Sequence, residues 1–428
     1  MIPGGSHCRV CGTPLELTLV DLGNSPLCES FLTADRVEAP EVFYPLHVRI
    51  CTTCWLGQLP AFVPVAEIFE EYAYFSAFSD SWVEHARTYA EMITSRLGLT
   101  TNSFVVELAS NDGYLLQHFV ANGIPVLGVD PAANVAEAAE ARGVPTVVDF
   151  FGVALGKRLV EERGRADLVL GNNVLAQVPD LHDFLGGVAI LLAEDGTATF
   201  EFPHLARLIA GLQYDTIYHE HFSYFSLSSI QAAVSGHELA VFDVEELPSH
   251  GGSLRVYVAH ASARRPPTEA VQHLAAREAD EGLHDPERYG RFAEQVKESK
   301  RALLDLLITS RREGKRVAGY GAPGKGNTLL NYCGIRTDLL DYTVDRNTYK
   351  HGRFTPGTHI PIHPPEIIGE TRPDVILILP WNLAREISSQ LAYTADWGAK
   401  LAVPIPVATT FEPGSVPDVD GEAQLTFT

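Results

Sequence analysis

Phe104-Val105-Val106-Glu107-Leu108-Ala109-Ser110-Asn111-Asp112-Gly113 reads as a short buried strand running into a tight turn. Apolar, partly β-branched residues over 104–108 favour an extended backbone, and Asn-Asp-Gly is turn chemistry. The pattern then repeats. A helix over 114–121 stops at Asn122-Gly123, a strand over 126–129 ends at Asp130-Pro131, and a helix over 132–142 stops at Gly143. Further strands are expected at 146–148, ending at Asp149, at 167–170, ending at Gly171-Asn172-Asn173, and at 197–202. Alternation at this spacing specifies an α/β fold, a parallel sheet with helices on both faces. Segments 241–245 and 253–258, joined through Pro248-Ser249-His250-Gly251-Gly252, read as an antiparallel pair that closes the sheet.

Acids fall where these strands end, and ligands of open parallel sheets bind beyond the carboxyl ends of the strands. Glu107 lies near the end of the first, Asp130 ends the second and Asp149 the third. An acid after the second strand can accept from both ribose hydroxyls, and one after the third from an adenine amino group. A dinucleotide site wants three glycines for its pyrophosphate. The turn Ser110-Asn111-Asp112-Gly113 offers one glycine and an aspartate, which repels phosphate. A phosphate-free, positively charged ligand such as S-adenosylmethionine fits better. Chance acids at loop ends are the plainer alternative.

A linker at 261–267 and a charged, helix-prone stretch to about 312 lead into a second strand–turn–helix. Its turn, Gly319-Tyr320-Gly321-Ala322-Pro323-Gly324-Lys325-Gly326, reads as an anion cradle of backbone amides plus one lysine. It lacks the Ser or Thr of a P-loop. Asp345 ends the next strand, where it is placed to read a sugar or base.

Four of six cysteines stand in two Cys-x-x-Cys pairs, Cys8/Cys11 and Cys51/Cys54. Four thiolates at such spacing close tetrahedrally on a structural zinc and leave no open position for catalysis. Cys28 and Cys333 read as ordinary thiols. With 428 residues, two or three domains are expected. The net charge of −22 disfavours nucleic acid and anionic membrane as partners. No apolar run has membrane-spanning length and residues 1–7 do not form a signal peptide, so a cytoplasmic location is expected.

Tyr218-His219-Glu220-His221, inside the aromatic stretch 214–226, is the densest group of proton-exchanging side chains in the chain. Half-buried turn residues with satisfied hydrogen bonds are the bland reading. The aromatic run at 72–82 is open between core and ligand-facing roles.

Taken together, these segments resemble the S-adenosylmethionine-dependent sugar C-methyltransferases of deoxysugar biosynthesis. The resemblance rests on the Cys-x-x-Cys pairs, Tyr-Phe-Ser-x-x-Ser-Asp-Ser-Trp, Glu-Leu-Ala-Ser-Asn-Asp-Gly, Asn-Asn-Val-Leu-Ala, Tyr-His-Glu-His-Phe-Ser-Tyr-Phe-Ser, His-Gly-Gly-Ser-Leu-Arg and Gly-Tyr-Gly-Ala-x-x-Lys-Gly-Asn, in that order. It implies a zinc-binding domain over 1–70, a class I methyltransferase-like Rossmann domain over 71–262, and a helical linker with a Rossmann-like nucleotide-sugar-binding domain over 263–428. The implied substrate is a dTDP-4-keto-deoxyhexose methylated at C3, with C5 in some relatives; a monomer or weak homo-oligomer is expected. The implied catalytic groups are Tyr218, Glu220 and His221, with His221 the base. The implied cofactor contacts are Tyr72, Phe75, Ser81, Glu107, Ser110, Asn111, Asp130, Pro131, Asp149, Phe150, Asn172 and Asn173. Those for the substrate are Tyr74, Ser76, Gln177, His204, Tyr218, Ser249, His250, Gly251, Ser253, Lys325, Asn327, Asp345, Lys350, Trp381 and Asn382. Relatives often carry His at the position of Gln177, which here can hydrogen-bond but not exchange a proton. Two other readings remain: an NAD-dependent sugar oxidoreductase built on the 319–326 turn, and a non-catalytic zinc-module scaffold.

Overall fold

The structure, a computed structural model, describes residues 5–64, 76–78 and 80–415. The chain forms two compact units, one of residues 1–17, 49–206 and 220–286, the other of 18–48, 207–219 and 287–428. The first sixty residues are therefore shared. β1 (Leu17–Ser25) and most of β2 (Tyr44–Ile50) count with the second unit. The end of β2 pairs antiparallel with β3 (Gly57–Gln58) in the first.

The first unit is built on a seven-stranded sheet. Its strands are β4 (Val105–Leu108), β5 (Val126–Asp130), β6 (Thr146–Val148), β7 (Ala166–Asn172) and β8 (Leu192–Pro203). Beyond a short β9 (Ser223–Tyr224), which pairs with β3, come β10 (Leu239–Leu247) and β11 (Ser253–His260). The order is β10-β11-β8-β7-β4-β5-β6, with β11 antiparallel to both its neighbours. One reversed strand beside an otherwise parallel sheet is the class I methyltransferase-like arrangement that the resemblance implies. Every residue of β4 and β5 is buried, because helices cover both faces. Chain direction across the sheet reverses between β4 and β7, which opens a crevice at the carboxyl ends of those two strands.

The second unit carries a six-stranded sheet: β12 (Val317–Tyr320), β13 (Thr343–Val344), β14 (Ile362–His363), β15 (Val375–Ile378), β16 (Lys400–Val403) and β17 (Thr409–Phe411). Its order is β14-β13-β12-β15-β16-β17, with only β17 antiparallel. The corresponding crevice lies between β12 and β15. The charged stretch before β12 is the helix Pro286–Arg312, which buries Phe292, Val296, Leu303 and Leu307 along one stripe. Among the described residues no helix is long and apolar enough to cross a membrane.

Candidate active site

The four paired cysteines converge in the first unit, their sulfur atoms all within 4.8 Å of one another. The Cys8–Cys54 and Cys11–Cys51 sulfurs are 3.4 Å apart, near the spacing of about 3.8 Å set by a zinc–thiolate tetrahedron. These are contacts between free cysteines, not disulfide bonds. Amides of Val10, Thr53 and Cys54 and the Gln58 side chain point at the sulfurs of Cys8 and Cys51, as donors do toward thiolates. The donor set fits a closed tetrahedral zinc site.

At the β4–β7 crevice, Glu107 is fully buried, and neither carboxylate oxygen has a hydrogen-bond partner among the described residues. Burial, then the charges of Asp130 and Asp112, push its carboxyl well above the usual range. The turn that follows is strained: Ala109 and Asn111 adopt φ of 55° and 48°. Such conformations cost of order 1–3 kcal/mol each and persist where a site requires them. Gly128 lets the turn close in, since a Cβ there would lie 2.4 Å from Ser110 Oγ. The Asn111 and Ala132 amides donate to Asp130 at 2.9 Å, fixing the carboxylate while leaving each oxygen a further lone pair. Pro131 follows, half-buried.

Ser76 and Ala77 donate backbone hydrogen bonds to Asn111 and Asp112, so the 76–78 segment lies over the turn. Asn172 ends β7 with no hydrogen-bond partner for its side-chain amide among the described residues, and Asn173, at φ 57°, donates its amide to the Glu201 carbonyl. Asp149 departs from expectation: its carboxylate is exposed and engaged by Arg158 at 3.0 Å. Exposed Val148 and Phe150 flank it as the apolar surfaces at this edge. Tyr72, Tyr74 and Phe75 lie outside the described residues, as do the side chains of Ser81 and His250.

The run 218–221 is divided. His219 is a packed structural group, its ring donating to the Pro45 carbonyl at 3.3 Å and set edge-on to Tyr44. Burial pushes its pKa down, against the pull of the Pro45 and Tyr44 backbone. His221 is buried, with its ring edge-on to Tyr224; Tyr218 and Glu220 are half-buried. The Phe222 amide donates to Ala176 at 2.8 Å, which joins the segment after His221 to the loop after β7 that carries Gln177.

A cluster missed by the sequence reading centres on Glu201, which faces inward between Phe200 and Phe202 at the end of β8. Its oxygens accept from His85 at 2.9 and 3.1 Å, from Arg255 at 2.7 Å and from Ser249 at 2.7 Å. Burial raises its carboxyl, but the His85 hydrogen bond and the Arg255 charge outweigh burial and bring it down to about 2. A lone acid between two phenylalanines was the available signal. Two residues expected at the substrate have partners within the protein here. Ser249 holds Glu201, and Ser253 turns its hydroxyl back to the Ser249 carbonyl. His204, also expected at the substrate, is wholly buried and pairs at 2.7 Å with Glu278, a carboxylate that also accepts the amides of Leu227 and Ser228. Gly251, at φ 92°, sits in the turn between β10 and β11.

In the second unit, Lys325, Trp381 and Asn382 meet at the β12–β15 crevice. Lys325 donates to Asn382 at 2.9 Å and lies 5.0 Å above the Trp381 ring. Trp381 donates its indole N–H to Asp215 at 2.7 Å, another residue the sequence reading missed. Burial raises the Asp215 carboxyl to about 6, against the pull of Lys325. The anion cradle needs correction. Asp345 accepts the Ala322 amide at 2.7 Å, and Glu29 accepts from Gly324, so carboxylates occupy two of the amides of the turn. Lys350 is engaged by the Ala322 carbonyl and the Phe31 ring, and Asn327 donates to the Cys28 carbonyl while its buried Oδ1 has no hydrogen-bond partner among the described residues.

Family models match three stretches of the chain: a zinc binding domain over residues 8–69, a methyltransferase domain over 82–244, and a C-methyltransferase C-terminal domain over 248–406. C-methyltransferase NovU of Streptomyces niveus is 38% identical over 400 residues, covering 94% of this chain and 95% of that one. Among solved structures, an S-adenosylmethionine-dependent methyltransferase from Clostridium acetobutylicum superposes with a TM-score of 0.33 at 11% identity, over 41% of this chain and 91% of that one. Magnesium protoporphyrin IX methyltransferase from Synechocystis, with bound S-adenosylmethionine, gives 0.31 at 12% identity, over 42% and 81%.

Proposed function

The chain belongs to the C-methyltransferases that join a zinc-binding domain to methyltransferase and C-terminal domains, and from that premise we propose that it methylates C3 of a dTDP-4-keto-deoxyhexose. Membership in this family sets aside the oxidoreductase and scaffold readings. S-adenosylmethionine supplies an electrophilic methyl group on a positively charged sulfur. The observation that carries the reading is Glu107, a buried carboxylate at the sheet's crevice without a hydrogen-bond partner among the described residues, because a cationic ligand with hydrogen-bond donors relieves its cost. Asp130 takes ribose hydroxyls on its remaining lone pairs, and Asn172 takes a further polar contact.

Hydrogen beside a ketone is acidic because its anion is an enolate, so the residues must supply a base at carbon and donors at oxygen. His221 removes the C3 proton, Tyr218 donates toward the ketone oxygen, and Glu220 binds a sugar substituent or holds an imidazole tautomer. Lys325 and Asn382 are proposed contacts of the nucleotide. Cys8, Cys11, Cys51 and Cys54 hold one zinc whose role is structural, and metal analysis of the purified protein is expected to return one zinc per chain. The catalytic reading is tested with His221→Asn, following methyl transfer together with deuterium wash-in at C3. Both should fall; normal rates of both would remove His221 as the base. Wash-in at C5 in the wild type would move the chemistry to that carbon.

A further inference from the structure

The His85–Glu201 pair is built in the manner of catalytic carboxylate–histidine pairs. Glu201 is fully buried while the His85 side chain is 23% exposed, so the imidazole stands between the core and the crevice. Both Glu201 oxygens lie within 3.1 Å of His85 Nε2. A lone pair facing an ionised carboxylate at that range would be repelled, so Nε2 carries the hydrogen and the neutral ring's lone pair is on Nδ1. Arg255 Nη2, 3.3 Å from the same nitrogen, is a second donor converging on Glu201. Nδ1 has no hydrogen bond among the described residues.

The ring is also fixed in orientation. Trp82 stacks on it at 4.9 Å with planes 16° apart, and stacks in turn beside Tyr114 at 6.0 Å. Tyr114 is itself buried in the turn that follows Glu107, and burial, then the charges of Glu107 and Glu201, push its hydroxyl well above the ordinary range. Asn172 lies opposite Glu201 in the β7–β8 register, which puts the pair at the same carboxyl edge of the sheet. Burying a carboxylate, a guanidinium and a serine hydroxyl to fix one tautomer is costly, and it is offset where the free nitrogen has a task.

We propose that His85 is a substrate-binding residue whose Nδ1 accepts a hydrogen bond from a ring hydroxyl of the sugar acceptor, with Glu201 the positioning residue that sets its tautomer. This rests on the reading of the acceptor as a nucleotide-linked ketosugar. The test pairs His85→Phe, which keeps a flat ring for Trp82, with a panel of monodeoxy analogues of the dTDP-4-keto-deoxyhexose. The variant is expected to lose about tenfold or more in kcat/KM, mostly through KM for the sugar, with S-adenosylmethionine affinity by calorimetry unchanged. One analogue should cost the wild type a similar factor and cost the variant nothing further. Equal losses in cofactor and sugar affinity, or penalties that add for every analogue, would overturn the role of His85. Absence of turnover by the wild type on every ketosugar would instead retire the reading of the acceptor, and this inference with it. Glu201→Gln, which can present a carbonyl to the same Nε2–H, should recover part of the sugar affinity lost in Glu201→Ala; no difference between the two would contradict the positioning role.

Discussion

Two turns in this molecule do the same geometric job and differ in what fills them. The turn after β4 and the turn after β12 each lead from a buried strand into a helix at the crevice of a mainly parallel sheet. At the first, Glu107 is buried without a hydrogen-bond partner among the described residues and two non-glycine residues are held at positive φ. At the second, Asp345 and Glu29 accept the Ala322 and Gly324 amides, and Lys325 already has Asn382 and Trp381. Unsatisfied buried groups and strain mark a place that a ligand completes, whereas a turn closed by its own chain is stable alone. In sequence the glycines of the second turn offer more backbone amides than the single glycine of the first, and two of those amides, at Ala322 and Gly324, are taken by carboxylates of the chain itself.

The proposed base, His221, belongs to the first unit, and the largest effect is expected there. His221→Asn should lower methyl transfer by roughly 10²–10⁴-fold while leaving S-adenosylmethionine binding intact, measured by product mass and calorimetry. A smaller effect separates two buried carboxylates, one in each unit. Glu201 sits at about 2 against an ordinary 4.5, so its ionised form stabilises the fold above pH 4.5 and that contribution is lost as pH falls toward 2. Glu201→Gln should cost about 3 kcal/mol at pH 7 in denaturant unfolding, with the difference shrinking below pH 4.5. Asp215 is raised to about 6 from 3.8, so its stabilising form is the protonated one, present below 3.8 and lost as pH rises through 6. Asp215→Asn should therefore raise stability at pH 8, by up to about 3 kcal/mol, and change nothing at pH 4. Matching pH profiles for the two variants would break the contrast.

Next in size, Asp130→Ala should weaken S-adenosylmethionine binding by about 10–100-fold, through the loss of charged hydrogen bonds. Asp345→Ala, at the matching strand end of the second sheet, should leave that affinity unchanged. Equal losses would mean that the two turns share one ligand. The smallest expected effect is that of Lys325→Ala, a rise of about tenfold or less in KM for the nucleotide sugar, read from initial rates at saturating cofactor.

Much of this was legible because apolar runs such as Val105-Val106 and Val375-Ile376-Leu377-Ile378 leave little choice but buried strand, and their spacing orders the sheet. Cys8, Cys11, Cys51 and Cys54 were legible because thiolate spacing is itself the signal. What escaped was whatever depends on distant residues meeting. Nothing local in Glu29 says that it caps a helix some three hundred residues away, nor in residues 18–48 that they fold with the second unit. His85, Glu201 and Arg255 come from three separate elements, and each alone reads as an ordinary helix or strand residue. His204 was misplaced for the same reason, because its partner Glu278 lies on a helix whose charges read as a solvated face.

The central claim, carbon methylation beside a ketone, is tested most directly by nuclear magnetic resonance of the product formed from a dTDP-4-keto-deoxyhexose and S-adenosylmethionine. The account predicts a new methyl group on C3, with the C3 proton lost and S-adenosylhomocysteine released in equal amount. A methyl group on oxygen or nitrogen, or consumption of cofactor with no new carbon–carbon bond, would contradict it.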